Sequence, residues 1–395
     1  MRQGERYLNR YWDDSADSPD VYNKYDNKRI IILCLPLVYL TAKFLVLNVL
    51  QDKYFFDSLN ILQMMQDESY FLTRDKSYQF TATVFSYLNF LNLTTIAEWH
   101  IILGLLFSFV FLILILDARE PTTSESFYLF AVFGLLEIFV FTISKDLCQF
   151  CIYCIIVLCY RFFRDSKNLP VLGTALVLAV EALLFRTYYG LIAILFVLLI
   201  TLFRVYGMGR DVEANKKLLS IVVLVLVTVF FVMFFTFHFA ETYYDKIASV
   251  RISTNDTRID SEDAVTMINN LFRPEEVTES PLILYVNYLI NAIRMLFPFE
   301  LLIKGVMYIP FCIYQLFTTC YMIRALAKAI VTGNWELCFF LAVYLAYFSV
   351  SVMFEPDFGS WVRHEASAFP IMIHLLLPES IAFGKAALTD NSKDQ

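Results

Sequence analysis

Long apolar runs recur along the chain, and short polar turns separate most of them. Several runs reach the roughly 17–25 residues that an α-helix needs to cross the hydrocarbon core of a bilayer. The pattern predicts an all-α fold, a polytopic transmembrane helix bundle of about ten membrane helices. The runs lie at about 30–50, 100–116, 126–144, 147–160, 170–185, 189–203, 218–239, 302–323, 335–354 and 366–383.

Composition supports a membrane protein. Of 395 residues, 58% are hydrophobic and 17% are charged, and the mean hydropathy is +0.60. Soluble domains average roughly 45–50% apolar and about 25% charged residues. Tyrosines often lie near the ends of apolar runs, as expected of the aromatic belts at membrane interfaces. The net charge of −7 argues against nucleic acid as a partner.

Two polar segments between the runs are long, at about 51–98 and 240–300. We expect them to be outer loops that contain helices lying along the membrane interface. Within the second, residues 281–297 are apolar but carry Asn287, Asn291 and Arg294 at helical spacing, so they form either an extra interfacial helix or an irregular pass. No internal repeat or Gly-rich linker divides the chain, which predicts a single transmembrane domain at 30–385.

The distribution of Lys and Arg predicts the orientation. The short segments that would face the cytoplasm are denser in basic residues than the outer ones, as the positive-inside rule requires. An even number of crossings then places both tails, 1–29 and 386–395, in the cytoplasm. The first 28 residues lack the apolar core of a cleavable signal peptide, so the first membrane helix is expected to direct insertion.

The stretch from Glu355 to Pro370 concentrates candidate chemistry between the last two apolar runs. Asp357, Arg363, His364 and Glu365 fall within nine positions there. Charged side chains at membrane depth are costly and tend to mark function. The alternative is a solvated connecting loop, with Arg363 and Glu365 reaching the interface.

Other polar residues occupy the predicted outer ends of membrane helices. Arg binds phosphate oxygens through bidentate hydrogen bonds and Lys acts as a point charge, so such residues suit a lipid-linked diphosphate. A base that deprotonates a sugar hydroxyl must titrate near the working pH, which His364 does unperturbed and Asp57 does if its surroundings raise its pKa. The candidates for binding the diphosphate or sugar are Arg186, Arg251, Arg258, Arg363, Lys145, Asp146 and Asp357.

We expect no cofactor and no metal site. Cys148, Cys151 and Cys154 have the spacing of metal ligands but lie on an apolar helix without a fourth ligand nearby. The other histidines share no ligand spacing with a carboxylate, and no phosphate-binding loop or nucleotide fingerprint is present. Lys43, Glu137 and Glu181 lie within predicted membrane helices, where they would either line an ion path or pair inside the bundle.

Four features carry a resemblance to a known group of enzymes. They are Ser144-Lys145-Asp146 at one outer turn, Phe185-Arg186-Thr187-Tyr188-Tyr189-Gly190 at another, the long loop before the last helices, and Phe358-Gly359-Ser360-Trp361-Val362-Arg363-His364. With this architecture, the chain resembles the Wzy and EpsG-like polymerases of bacterial capsule, O-antigen and exopolysaccharide, and more broadly the GT-C glycosyltransferases.

The resemblance implies residue roles. Asp57 occupies the place of the first-loop acid that acts as base in many GT-C enzymes, although Ser58 stands where many of them carry a second acid. Polymerases acting on undecaprenyl-diphosphate sugars instead use outer-face arginines, sometimes with a histidine, without a metal ion. Arg186, Arg251, Arg363 and His364 match that description.

The resemblance also implies a function. The expected activity is a metal-independent glycosyltransferase of the bacterial inner membrane that joins undecaprenyl-diphosphate-linked oligosaccharide repeats on its outer face. Its partners would be that lipid-linked substrate, the bilayer, and a chain-length regulator and flippase of the same pathway. Two alternatives stay open: a flippase or secondary transporter that uses Lys43, Glu137 and Glu181, and a membrane acyltransferase.

Overall fold

The fold is known from a computed structural model, which describes residues 27–72, 75–185, 189–207, 214–239, 242, 244–245, 248, 266–268, 271–355 and 357–378. These residues are predominantly helical and contain no strand, and Met267 and Asp357 form one isolated β-bridge. The helices are α1 Asn27–Asn48, α2 Phe56–Gln66, α3 Glu68–Phe71, α4 Lys76–Leu88, α5 Ile96–Asp117, α6 Thr123–Leu135, α7 Lys145–Phe162, α8 Leu169–Leu184, α9 Gly190–Leu202, α10 Ala214–Phe239, α11 Pro274–Glu279, α12 Pro281–Leu296, α13 Glu300–Lys304, α14 Ile309–Thr332, α15 Trp335–Phe354, α16 Phe358–Ser367 and α17 Phe369–Leu376.

The predicted all-α membrane bundle is confirmed. Within the described residues, six helical segments are long and apolar enough to cross a membrane. Three further apolar helices are shorter, and every run singled out in the sequence contains a helix. The six segments are Asn27–Asn48, Ile96–Asp117, Thr123–Val140, Lys216–Phe239, Val306–Thr332 and Trp335–Phe354.

The region of the last predicted crossing is built differently from the sequence expectation. Helix α16 continues to Ser367, and α17 begins only at Phe369 after a break at Ala368. Pro370 explains the break, because in a continuous helix its ring would clash with the carbonyl of Ala366 and it has no N–H to donate to that carbonyl. Residues 379–383 of the predicted run, and the predicted tail at 386–395, lie outside the described residues.

The segment 51–98 is largely helical, as predicted. Helices α2 and α4 pack against each other, and α4 also contacts α7. Asp75 begins α4 by accepting hydrogen bonds from the backbone N–H groups of Ser77 and Tyr78, a standard N-cap. This pairing brings the first turn of α2 and the first turn of α4 close to the start of α7.

Helix α15 forms the centre of the bundle. It packs against α9, α12, α14 and α17, and most of its surface is buried. Aromatic side chains fill the space beside it: the ring centroids of Tyr153 and Tyr347 are 5.6 Å apart, and that of Tyr347 is 6.1 Å from Trp361 of α16. Trp361 is fully buried, so this packing fixes α16 against the core.

A five-residue π-helix, Leu136–Val140, follows α6. In this turn the Phe141 N–H donates to the carbonyl of Leu136 at 2.7 Å, one residue further back than in an α-helix. The chain then bends, and Ser144 begins α7 by accepting a hydrogen bond from the Leu147 N–H at 3.1 Å. The π-turn therefore determines where the first residues of α7 lie.

Candidate functional site

Helix α16 is the element on which the candidate site is built. Asp357 caps it, since its carboxylate accepts hydrogen bonds from the Ser360 N–H at 2.7 Å and the Ser360 hydroxyl at 3.0 Å. Residues 358–367 thus form a capped and largely buried helix, which excludes the solvated connecting loop considered from the sequence. Glu365, expected to reach the interface under that alternative, is fully buried.

Arg363 joins two carboxylates that are distant in sequence. Its Nε lies 2.7 Å from Oδ2 of Asp146, and its Nη2 lies 3.2 Å from Oδ2 of Asp57. Both carboxylates come from first turns, of α7 and α2 respectively, where the helix dipole also favours negative charge. Burial opposes the charge of Arg363, but Asp146 and Asp57 outweigh it and raise the pKa of the guanidinium further.

His364 lies between two further carboxylate oxygens. Its Nδ1 is 2.6 Å from Oε1 of Glu355, and its Nε2 is 3.2 Å from Oδ1 of Asp146. Both ring nitrogens donate only when the imidazole is protonated. Burial alone lowers the pKa of His364, but the attraction of Glu355 and then of Asp146 raises it to about 9. At neutral pH the ring is therefore a cation.

Asp57 is held by a phenol and two cations. The Tyr78 hydroxyl donates to Oδ1, and Nζ of Lys145 lies 3.5 Å from Oδ2, beside the Arg363 contact. The same Nζ lies 3.8 Å from the centroid of the Tyr78 ring, a cation–π contact. Burial raises the pKa of Asp57, but Lys145 and Arg363 outweigh it and hold the pKa well below its usual value.

These side chains form one cluster, which we call the Arg363 cluster. Three cations face three carboxylates, so the cluster is close to neutral when it is empty. Its exposure is uneven, since side chains of Arg363 and Asp57 are 21% and 17% exposed and that of Asp146 only 4%. The side chains of His364 and Lys145 are 16% and 13% exposed, so a ligand would reach these four residues before Asp146. The members are Asp57, Tyr78, Lys145, Asp146, Glu355, Arg363 and His364.

The structure brings together five of the residues singled out in the sequence. Asp57, Lys145, Asp146, Arg363 and His364 come from three separate segments and make direct contacts. Asp357 lies at the start of the same helix, where its carboxylate accepts hydrogen bonds from the N–H and the hydroxyl of Ser360. Three predicted residues, Arg186, Arg251 and Arg258, lie outside the described residues.

Sequence reasoning missed two members of the cluster. Glu355 is the first residue of the stretch from Glu355 to Pro370, nine positions before His364. Only the break between α15 and α16 brings the two side chains together. Tyr78 lies 21 residues from Asp57 and reaches it because α2 and α4 pack side by side. Neither contact leaves a periodic signal in the sequence.

Three other buried acids form contacts separate from the cluster. Lys43 and Glu137 pair with each other at 2.8 Å, which is the internal pairing that the sequence left as one of two roles. Glu181 accepts a hydrogen bond from Nε2 of Gln149 at 3.0 Å, and Glu365 accepts one from the Tyr344 hydroxyl at 2.5 Å. Among the described residues, no group of three or more His, Cys, Asp or Glu is arranged to hold a metal ion.

Comparison with known proteins adds no relative. No protein-family model, curated protein or solved structure matches this chain significantly.

Proposed function

We propose that this protein is a membrane glycosyltransferase that extends surface polysaccharide from a lipid-diphosphate-linked donor. The observation that carries the proposal is the Arg363 cluster, in which Arg363, Lys145 and His364 supply positive charge beside the carboxylate of Asp57. Such a reaction needs cations for a diphosphate and a carboxylate for a hydroxyl proton, at one place.

Donor binding and base activation are linked in this arrangement. A diphosphate competes with Asp57 for Arg363 and Lys145, the cations that hold the Asp57 pKa down. When phosphate oxygens take those contacts, Asp57 loses its stabilising charges and its pKa rises toward the working pH. Asp57 then becomes an effective base only when the donor is present, which limits wasteful reaction of an empty site.

The bond changes follow from these positions. The acceptor hydroxyl attacks the anomeric carbon of the donor sugar, its proton passes to Asp57, and the bond between that carbon and the diphosphate oxygen breaks. The negative charge that develops on the departing lipid diphosphate is stabilised by Arg363, Lys145 and protonated His364. With a pKa raised to about 9, His364 acts as this cation and Asp57 as the base.

Glu355 completes the role of His364. It binds Nδ1 at 2.6 Å and so orients the ring with Nε2 toward Asp146. A carboxylate on one ring nitrogen both fixes the orientation of an imidazole and favours its protonated form. Glu355 is therefore a positioning residue for the leaving-group cation.

The substrate and its location follow from the resemblance. We propose that the donor and acceptor are undecaprenyl-diphosphate-linked oligosaccharide repeats and that the Arg363 cluster faces outward from the bacterial inner membrane, with both termini in the cytoplasm. The reaction needs no metal ion in this scheme. A flippase would deliver the substrate, and a chain-length regulator would act on the product.

The test is the polysaccharide profile of cells in which the gene is deleted and then restored. Wild type is expected to restore long chains, whereas Asp57→Asn and Arg363→Ala leave single repeats on the lipid carrier. Asp52→Asn is the matched control, since this exposed residue of the same segment lies outside the cluster. Intact polymer in the deletion strain refutes the polymerase assignment, and full restoration by both variants removes the cluster from the reaction.

A further inference from the structure

A second ionic contact lies buried among the membrane helices. Nζ of Lys43, on α1, is 2.8 Å from Oε2 of Glu137, and the side chains are 6% and 0% exposed. Oε1 of Glu137 accepts a hydrogen bond from the Ser108 hydroxyl of α5 at 2.7 Å. Burying such a pair costs desolvation free energy that its attraction does not reliably recover, so its presence calls for a role besides stability.

The contact that matters most is to the backbone. Nζ of Lys43 also donates to the carbonyl oxygen of Glu137 at 2.9 Å. In an α-helix that carbonyl would accept from the Phe141 N–H, but Phe141 donates to Leu136 and Thr142 donates to Val140. The π-turn thus leaves the Glu137 carbonyl without these backbone donors, and Lys43 satisfies it.

Gly104 of α5 makes room for this arrangement. A Cβ atom at Gly104 would lie 2.5 Å from Nζ of Lys43 and 2.6 Å from Oε2 of Glu137, closer than non-bonded atoms approach. A side chain at this position would therefore push the Lys43 and Glu137 side chains out of their present places. The pair, the π-turn and the glycine therefore form one packed unit.

The π-turn is connected to the Arg363 cluster by a short, buried segment. Residues 141–144 are all buried, and the Ser144 hydroxyl donates to the carbonyl of Val140 at 3.0 Å while capping α7. Asp146 follows two residues later, and α16, which carries Arg363 and His364, packs directly on the π-turn. The segment between Glu137 and Asp146 is therefore buried and hydrogen-bonded, so a change in the π-turn would move Asp146.

We propose that Lys43 is a positioning residue for the Arg363 cluster: by binding the Glu137 carbonyl, it holds the π-turn that sets Asp146 against Arg363 and His364. Removing Lys43 leaves a buried carbonyl without a partner, and an ordinary α-helical bond from Phe141 then satisfies it. The wider π-turn then becomes an ordinary α-helical turn, so the hydrogen-bonding register shifts by one residue. The chain that follows rotates about the helix axis by about 100°, the angle per residue of an α-helix. Asp146 leaves its place beside His364.

The test measures the titration midpoint of His364 by NMR. The chain has four histidines, so histidine labelled with ¹³C gives resolvable NMR signals in detergent or nanodiscs, and His364→Gln identifies the signal of His364. The variant Lys43→Met with Glu137→Met removes both buried charges together, a change that is often neutral or stabilising. We expect it to unfold no earlier than wild type, yet to lower the His364 titration midpoint from about 9 by about one pH unit or more.

Three further variants separate positioning from general damage. Lys43→Arg keeps a buried donor for the carbonyl and is expected to retain more of the wild-type midpoint than the double variant. Gly104→Ala displaces the pair sterically without changing charge and should lower the midpoint. Glu300→Gln, which breaks the Arg294–Glu300 pair elsewhere, should leave it unchanged. An unchanged His364 midpoint in the folded double variant overturns the proposal.

The inference rests on the proposed function only for what the Arg363 cluster does in catalysis. The titration is measured without turnover, so its result tests the positioning role of Lys43 independently of the glycosyltransferase assignment. If the midpoint shifts but the deletion strain makes normal polymer, the positioning is real and the reaction is a different one. If polymer is lost on deletion but the midpoint does not shift, the function holds and Lys43 has no positioning role.

Discussion

Among single residues, the charged side chains of Arg363, His364 and their carboxylate partners determine what the cluster can do. Arg363 contacts Asp146 and Asp57 at 2.7 and 3.2 Å, and His364 lies between Glu355 and Asp146. Charge-assisted contacts of this kind are shorter and stronger than neutral hydrogen bonds. The sequence alone indicated Arg363, His364 and Asp57 because they lie next to the predicted outer ends of membrane helices and fit the resemblance. It could not show that His364 is held as a cation, since that follows from Glu355 and Asp146.

The pKa of His364 predicts how stability depends on pH. The folded protein raises this pKa from the ordinary value of about 6.5 to about 9. The stabilisation is therefore fully present below about pH 6.5 and is lost as the pH rises through 9. We expect the unfolding temperature of wild type to fall across this range, and that of His364→Gln to fall much less. Equal pH dependence in the two proteins contradicts the assigned charge.

The proposed role of Asp57 as the general base predicts a large loss of kcat when its carboxylate is removed. If it takes the proton of the acceptor hydroxyl, Asp57→Asn lowers kcat by about 10²–10⁴-fold, the usual contribution of a general base. Tyr78→Phe removes a hydrogen bond to the same carboxylate and should reduce kcat less. Rates are measured with purified protein and saturating donor. A variant Asp57→Asn that keeps wild-type kcat excludes this residue as the base.

At the scale of elements, the site is made by helix beginnings. Asp57, Asp146 and the cap Asp357 all lie at or just before first turns, of α2, α7 and α16. Helix N-termini favour negative charge, so the fold stabilises these carboxylates before any ligand arrives. Apolar runs predicted the long helices well because length and hydropathy suffice for that. They could not predict α16, whose ten residues combine a polar sequence with deep burial, or the break at Ala368 in the region of the last run.

Asp357 allows its capping role to be separated from a role in binding substrate. Asn is as good an N-cap as Asp, whereas Ala costs about 1 kcal/mol. We expect Asp357→Ala to lower the free energy of unfolding by about this amount and to reduce activity by loosening α16. Asp357→Asn should keep both stability and activity. Loss of activity in Asp357→Asn, with normal stability, would instead indicate direct contact with substrate.

At the scale of the whole molecule, the cluster draws on segments from both halves of the chain. Asp57 and Arg363 are 306 positions apart and meet because α2 packs on α4, α4 on α7, and α7 on α16. The sequence predicted that outer turns converge, since residues at the same ends of membrane helices share one side of the bundle. It left the partners undetermined, because side-chain contacts depend on packing between helices that no local pattern encodes.

The proposed orientation gives a prediction for the intact membrane. Alkaline phosphatase, which is active only outside the cytoplasm, should be active when fused after Asp52 and inactive when fused after Asp165. The first site precedes α2 and the Arg363 cluster, and the second lies in the basic turn between α7 and α8. The reverse pattern would place the cluster in the cytoplasm and contradict its proposed role.

The role of the Arg363 cluster in the reaction is best tested by turnover of the purified protein in nanodiscs with a lipid-diphosphate-linked oligosaccharide. We expect wild type and Asp52→Asn to release lipid diphosphate and form longer chains, and Arg363→Ala, folded and with an unchanged elution profile, to do neither. If Arg363→Ala turns over as fast as wild type, the Arg363 cluster is a structural ion network and the site of reaction lies elsewhere.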